Sequence, residues 1–127
     1  MIVLDTCAFI WLGLDRKALS ATARRRIDKE ELAVSCISFL EIGQLIRKGR
    51  LQVSCDSATF SNLVCETFSV TPLIISPEIV ATAMALPAEV NADPADRIIA
   101  ATAINHGCLL ITKDANLRSS HAVPTLW

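Results

Sequence analysis

At 127 residues the chain has the length of one domain, enough to bury a core without disulfides or a structural metal, and its hydrophobic fraction of 52% marks it as folded rather than disordered. No apolar run reaches the roughly 18 residues that span a bilayer, and the N-terminus lacks a basic region and a small-residue cleavage site, so a cytoplasmic protein without membrane contact is expected. The net charge of −1, without a basic tail, excludes a chain-wide nucleic-acid footprint; a polyanionic partner needs a local basic patch.

Met1-Ile2-Val3-Leu4 is an apolar run ending at Asp5-Thr6, which predicts a buried strand with an acid at its carboxyl end, followed by a short helix from Ala8 to Leu14. Ser20 predicts the cap of a second helix, Ala21 to about Glu30. Its Arg24-Arg25-Arg26 run, with Arg16 and Lys17, is the most basic region and reads as a solvated helix face. Leu32 to Ser35 predicts a second strand, and Ser38-Phe39-Leu40-Glu41 has the S-x-x-E form of a capping box opening a helix that ends at Lys48-Gly49. Asp56 caps a helix to about Phe68, Val70 to Leu73 makes a short edge-like strand, and Ser76-Pro77-Glu78 starts a helix reaching Leu86. Pro87 to Ala92 is a loop. Asp93 is then an N-cap, Pro94 suits the first helical turn, and Gly107 suits a left-handed C-terminus, which bounds an almost wholly apolar helix. Cys108 to Ile111 is a continuous apolar run of the kind buried on both faces of a parallel sheet, and after Asp114 a polar turn leads to a last strand near Val123 to Leu126.

Strands alternating with helices predict one α/β domain with a short, mainly parallel sheet covered on both faces. Function in such sheets gathers beyond the carboxyl ends of the strands, which brings Asp5 and Asp114 there directly and Glu41 and Asp96 through the first turns of their helices. Four carboxylates crowded together call for neutralising cations. Magnesium or manganese suits hard oxygen ligands, and the chemistry implied is phosphodiester hydrolysis. Taken singly, each acid has a plainer role: Asp5 and Asp93 as caps, Asp96 as a first-turn acid, Glu41 as a capping-box member, Asp114 as a turn former. Their coincidence at one edge favours a functional cluster. The five cysteines have no zinc spacing and read as reduced, mostly buried small hydrophobes, Cys7 among them; His106 and His121 read as structural.

Leu4-Asp5-Thr6, Ser35 to Gly43, Lys48-Gly49-Arg50-Leu51, Asp93 to Ala103, Leu110 to Asp114 and a tryptophan near the end together resemble the PIN-domain ribonucleases, in particular the VapC-like toxins of bacterial type II toxin–antitoxin pairs. The resemblance covers nearly the whole chain. It implies a single PIN domain over residues 1–127, a three-layer α/β/α fold, and metal-dependent endoribonuclease activity with Mg²⁺ or Mn²⁺ as cofactor. Asp5, Glu41, Asp96 and Asp114 match the family's four metal-binding, catalytic acids. Thr6 and Ser38 would help position ligands or water, with Thr112 as a further supporting residue; Asp93 is either an extra acid or only the cap; Arg97 would orient a carboxylate or touch phosphate. The implied partners are an RNA substrate, a VapB-like antitoxin and a second copy in a homodimer. Cys7 stands where this subgroup often has histidine, and Leu40 where it has an aromatic. Two other classes compete: a PIN-like protein-binding module without turnover, favoured by the weak basicity, and a DNA nuclease, disfavoured because so short a chain lacks elements to grip a duplex.

Overall fold

The computed structural model describes all 127 residues. Its centre is β1 (Ile2–Leu4), three apolar residues with no exposed surface, paired in parallel with β2 (Leu32–Ser35) on one side and β4 (Leu109–Ile111) on the other. β3 (Val70–Leu73) adds to β2, and β5 (Thr125–Leu126) to β4, giving the order β3-β2-β1-β4-β5. Every pairing is parallel, so the expected mainly parallel sheet is wholly so. Pro72, which has no N–H to donate, is tolerated because β3 is an edge strand.

Strand alternation sorts the core into two layers. Ile2, Leu4, Val34 and Ile111 point to one side, where they meet Phe9, Leu12, Ala23, Phe60 and Val64 from helices α1 (Thr6–Leu14), α2 (Ala21–Ile27) and α4 (Ser57–Phe68). Val3, Ala33 and Leu110 point to the other, against Ile99, Ala100 and Ala103 of α6 (Pro94–Asn105) and Leu117 of α7 (Ala115–Ser119). The small side chains of α6 let it lie close on the sheet, and α5 (Pro77–Ala85) covers α6 from outside through Ile79, Ala83 and Ala101. This is the α/β/α sandwich. The chain leaves β1 toward β2 and later returns to β4 on β1's other flank, so β1 and β4 form a switch point whose carboxyl ends open a crevice.

Local structure departs from expectation at several places. Asp5 itself caps the first helix, which therefore starts at Thr6 rather than Ala8. The second helix stops at Ile27 because the residues beyond it carry no apolar face. α3 (Ile37–Arg47) begins before Ser38, so Ser38 lies in its first turn and no S-x-x-E capping box forms. The loop after α5 contains a 3₁₀ turn at Ala88–Val90, and the polar turn after Asp114 is the short helix α7, which Leu117 anchors in the core. Only Cys108 of the five thiols is buried; Cys7, on the open side of α1, is exposed. Gly49 and Gly107, at φ 71° and 63°, take the left-handed turns that end α3 and α6.

Candidate active site

The crevice at the switch point is a cleft of about 400 Å³ whose walls include Asp5, Glu41, Asp96 and Asp114, from four separate segments. Asp5 follows β1 directly. Its backbone N–H donates to Ile111 O at 3.1 Å, which ties it to the end of β4, and its carboxylate accepts from Ala8 N–H at 2.7 Å. Asp114 leaves the same edge after β4 and caps α7 by accepting from Leu117 N–H at 2.8 Å. Asp96 sits in the first turn of α6, where the helix N-terminus favours an anion. Glu41 comes from α3.

Glu41 is held from across the cleft. The Thr6 hydroxyl donates to Glu41 Oε1 at 2.5 Å and lies 2.9 Å from Ser38 Oγ; with one proton to give, Thr6 serves the carboxylate and accepts from Ser38. Ser38 and Thr6 are both buried, so the two hydroxyls are shielded from competing water, while the Glu41 carboxylate they hold is half-buried on the cleft wall. The N-terminus of α3 is served instead by Ser35 Oγ, which accepts from Ile37 N–H at 3.3 Å.

A second hold comes from Asn91, which carried no signal in the sequence beyond lying in a loop. Its amide Nδ2 donates to Asp96 Oδ2 at 3.2 Å and to Asp114 Oδ1 at 3.3 Å, while its Oδ1 accepts from Asn116 Nδ2 at 2.8 Å. Asn116 thereby fixes which end of the amide faces the acids. Thr112, fully buried, accepts from Asp114 N–H at 3.1 Å, and its side chain also reaches Asp5.

Arg97 does not meet a carboxylate. Its guanidinium donates to the carbonyls of Ala83 at 3.0 Å, Leu86 at 2.6 Å, Pro87 at 3.2 Å and Asn91 at 3.0 Å, so it pins the loop between α5 and α6 and helps place Asn91. The expectation that Arg97 orients a carboxylate is corrected: four of its five N–H donors go to backbone carbonyls instead. Asp93 does cap α6, accepting from Ala95 N–H at 2.9 Å. It also lies close to two of the cleft acids, since carboxylate oxygens of Asp93, Glu41 and Asp96 all lie within 4.8 Å of one another.

None of the protein's three ion pairs involves these acids; they join the N-terminus to Glu30, Arg16 to Asp28 and Arg26 to Glu30. The electrostatic cost shows in their protonation. Burial first, against the lowering pull of Thr112 and the Ala8 N–H and with repulsion from Glu41 and Asp114, pushes Asp5 up to about 6. Burial, then Asp93, Glu41, Asp114 and Asp5, pushes Asp96 up to about 7. Glu41 is raised by burial and by Asp93, and lowered by Thr6. Cys7, on the cleft wall, is raised to about 11 by desolvation and then by the four acids, so its thiol is neutral at neutral pH rather than nucleophilic. Close, uncompensated hard-oxygen donors of this kind fit a divalent cation. A more apolar groove of about 460 Å³, between Leu14 and the Phe60–Leu63–Val64 side of α4, has no acid in its walls.

The family model described as PIN domain matches residues 2–120. The chain belongs to the PIN-domain family. It is 39% identical to Ribonuclease VapC22 of Mycobacterium tuberculosis over 129 residues, covering 99% of this chain and 98% of that protein. Among solved structures, this PIN domain resembles a chain of a toxin-antitoxin complex from Klebsiella pneumoniae, with a TM-score of 0.66 at 20% identity over 100% of this chain and 97% of that one. It also resembles a chain of VapBC2 from Rickettsia felis bound to a promoter DNA fragment, with a TM-score of 0.69 at 14% identity over 99% of this chain and 98% of that one. At such identities the structural likeness establishes the fold.

Proposed function

We propose that this PIN domain is a divalent-metal-dependent endoribonuclease and the toxin half of a toxin–antitoxin pair. The observation that carries the reading is the convergence of Asp5, Glu41, Asp96 and Asp114 on one cleft without a compensating ion pair. Near full-length similarity to a ribonuclease supports RNA as the substrate. Asp5, Glu41, Asp96 and Asp114 are the residues that would hold Mg²⁺ or Mn²⁺, with Asp93 close enough to Glu41 and Asp96 to join them. Such an ion supplies a water of lowered pKa and charge for the leaving oxygen when bound.

The chain's own residues provide order. Thr6 and Ser38 hold Glu41, Asn91 and Asn116 align Asp96 with Asp114, and helix N-termini at Ala8 and Leu117 fix Asp5 and Asp114. Ligands fixed in this way lose little freedom when a cation or a phosphate arrives. A cognate antitoxin would cover the cleft with an arginine or lysine, because a fixed cation can replace the metal's charge on the carboxylates. A homodimer is the further partner proposed, and five free thiols suit the reducing cytoplasm.

Purified protein should cut single-stranded RNA only with Mg²⁺ or Mn²⁺, and Glu41→Gln should not. Cleavage that persists in Glu41→Gln, or in chelator, would show the activity to be a contaminant or the site to be elsewhere.

A further inference from the structure

We propose that Trp11 and Lys113 form a substrate grip at the lip of the acidic cleft, the ammonium meeting a phosphate of a single-stranded RNA and the indole stacking on a neighbouring base. The proposal rests on the nuclease reading above and assigns it two residues outside the acid cluster.

Lys113 is the only lysine or arginine in the cleft wall. It is exposed, follows buried Thr112 and directly precedes Asp114, yet it pairs with none of the carboxylates. Its Nζ instead lies over Trp11, 5.9 Å from the ring centroid. A flexible ammonium beside several anions would ordinarily fold onto them; the ring face offers it a competing seat. Trp11 is well placed to do so, since it is half-buried on α1 and braced by Trp127, with ring centroids 5.8 Å apart and planes at 55°.

Two consequences follow for a nucleic-acid strand. The carboxylates stay free for a cation because Lys113 does not neutralise them, and the entering phosphate, otherwise repelled by the acids, finds a positive charge at the rim. An unpaired base can then take the ring face that the ammonium covers, while the ammonium swings to the phosphate on its four-carbon stem. Aromatic stacking with a neighbouring cation is how single strands are gripped without base-edge readout. Duplex bases, already stacked, could not use the ring.

The test is binding of a labelled single-stranded oligouridylate to Asp96→Asn protein, followed by anisotropy and tryptophan emission across a salt series. Lys113→Gln in this background should weaken binding by about three- to tenfold and reduce the slope of log affinity on log salt by about 0.7, and Lys113→Arg should restore both. Binding should quench emission, and Trp11→Phe should remove most of the quench while Trp127 remains. Unchanged affinity and slope in Lys113→Gln overturns the proposal, as does a quench that survives Trp11→Phe or a failure of the parent to bind. A loss of melting temperature without loss of affinity would reduce Lys113 to a brace for the indole. An oligoglutamate peptide binding as tightly as the oligouridylate would make the lip a site for acidic protein segments and overturn it too. If the parent binds as expected but wild type leaves RNA uncut with Mg²⁺, the nuclease reading fails and the grip stands.

Discussion

The helices that carry Asp96 and Glu41 begin in opposite ways. α6 starts as its residues dictate: Asp93 caps it, Pro94 fills the first turn, and Asp96 rides in that turn toward the cleft. α3 starts against its residues, with Cys36 at the cap position making no side-chain bond and the S-x-x-E pair turned to Thr6. In α6 the acid's position is a by-product of local capping. In α3 a tertiary partner from the start of α1 outbids the helix's own N–H groups for Ser38 and Glu41. Local rules thus hold until a partner from another segment competes, and here the competition marks one wall of the site.

The largest expected break of this comparison is at Asp96. Asp96→Asn keeps volume but removes a ligand's charge, and should cut RNA cleavage by roughly 100- to 1000-fold, for a loss of several kcal/mol of transition-state stabilisation. Circular dichroism should show an intact fold. Asp5→Asn should behave alike, because asparagine still caps α1 while the charge is gone. Turnover near wild type at saturating Mg²⁺ in either variant would make these acids caps alone.

Metal and pH act on the same crowding. Asp5 and Asp96 have folded pKa values of about 6 and about 7 against an ordinary 3.8, so the folded state binds protons more tightly than the unfolded chain. The stability this contributes is fully present below about pH 4 and is lost as pH rises through the folded values. Metal-free protein should therefore lose stability between about pH 4 and pH 7 from these groups, and Asp96→Asn should flatten the profile. At pH 8 Mg²⁺ or Mn²⁺ should restore stability, by about 2.7 kcal/mol at a hundredfold excess over the dissociation constant. Melts of both proteins at constant ionic strength check this, and an equal metal shift in Asp96→Asn would dissolve the cluster into separate acids.

How much was legible follows from the same contrast. The strands were readable because β1, β2 and most of β4 are buried on both faces and so carry mainly apolar runs. The bounds of α4, α5 and α6 were readable because Asp56, Ser76 and Asp93 each cap the helix next to them in sequence. The four acids were gathered by topology and by resemblance together. Asn91 was not legible, since its bonds to Asp96 and Asp114 depend on a loop that Arg97 pins through four carbonyls. The carboxylate-orienting role expected of Arg97 failed for the same reason: beside an acid in sequence, it bonds four backbone carbonyls instead. Lys113 and Trp11 meet only after β4 and α1 are placed side by side.

Groups that hold the acids should cost less than the acids. Thr6→Val keeps the shape of the side chain and deletes the donor to Glu41, which pushes Glu41 further up in pKa by removing a lowering contact. Cleavage should fall about 10- to 100-fold, the usual cost of losing a group that orients a ligand, with the metal requirement rising. Asn91→Ala should fall at the lower end of that range, because its bonds to Asp96 and Asp114 are longer, at 3.2 and 3.3 Å. Metal titrations of activity would separate these from direct ligands: excess metal should recover part of the loss in both.

The smallest effect sharpens the comparison most. Ser35 is the residue that serves the start of α3, accepting from Ile37 N–H at a long 3.3 Å, and it lies fully buried at the end of β2. If Glu41 is positioned by the N-terminus of its helix, Ser35→Ala should damage catalysis as Thr6→Val does. If Glu41 is positioned by Thr6 across the cleft, Ser35→Ala should lower stability by about 1 kcal/mol, the ordinary worth of a cap, and leave cleavage within about twofold of wild type. The geometry favours the second outcome: Glu41 lies a turn beyond Ile37, and its one side-chain hydrogen bond runs to Thr6. A denaturant titration paired with initial cleavage rates reads both quantities on one preparation. A rate loss in Ser35→Ala matching that of Thr6→Val would move the control of Glu41 from the opposite wall of the cleft to the helix that carries it.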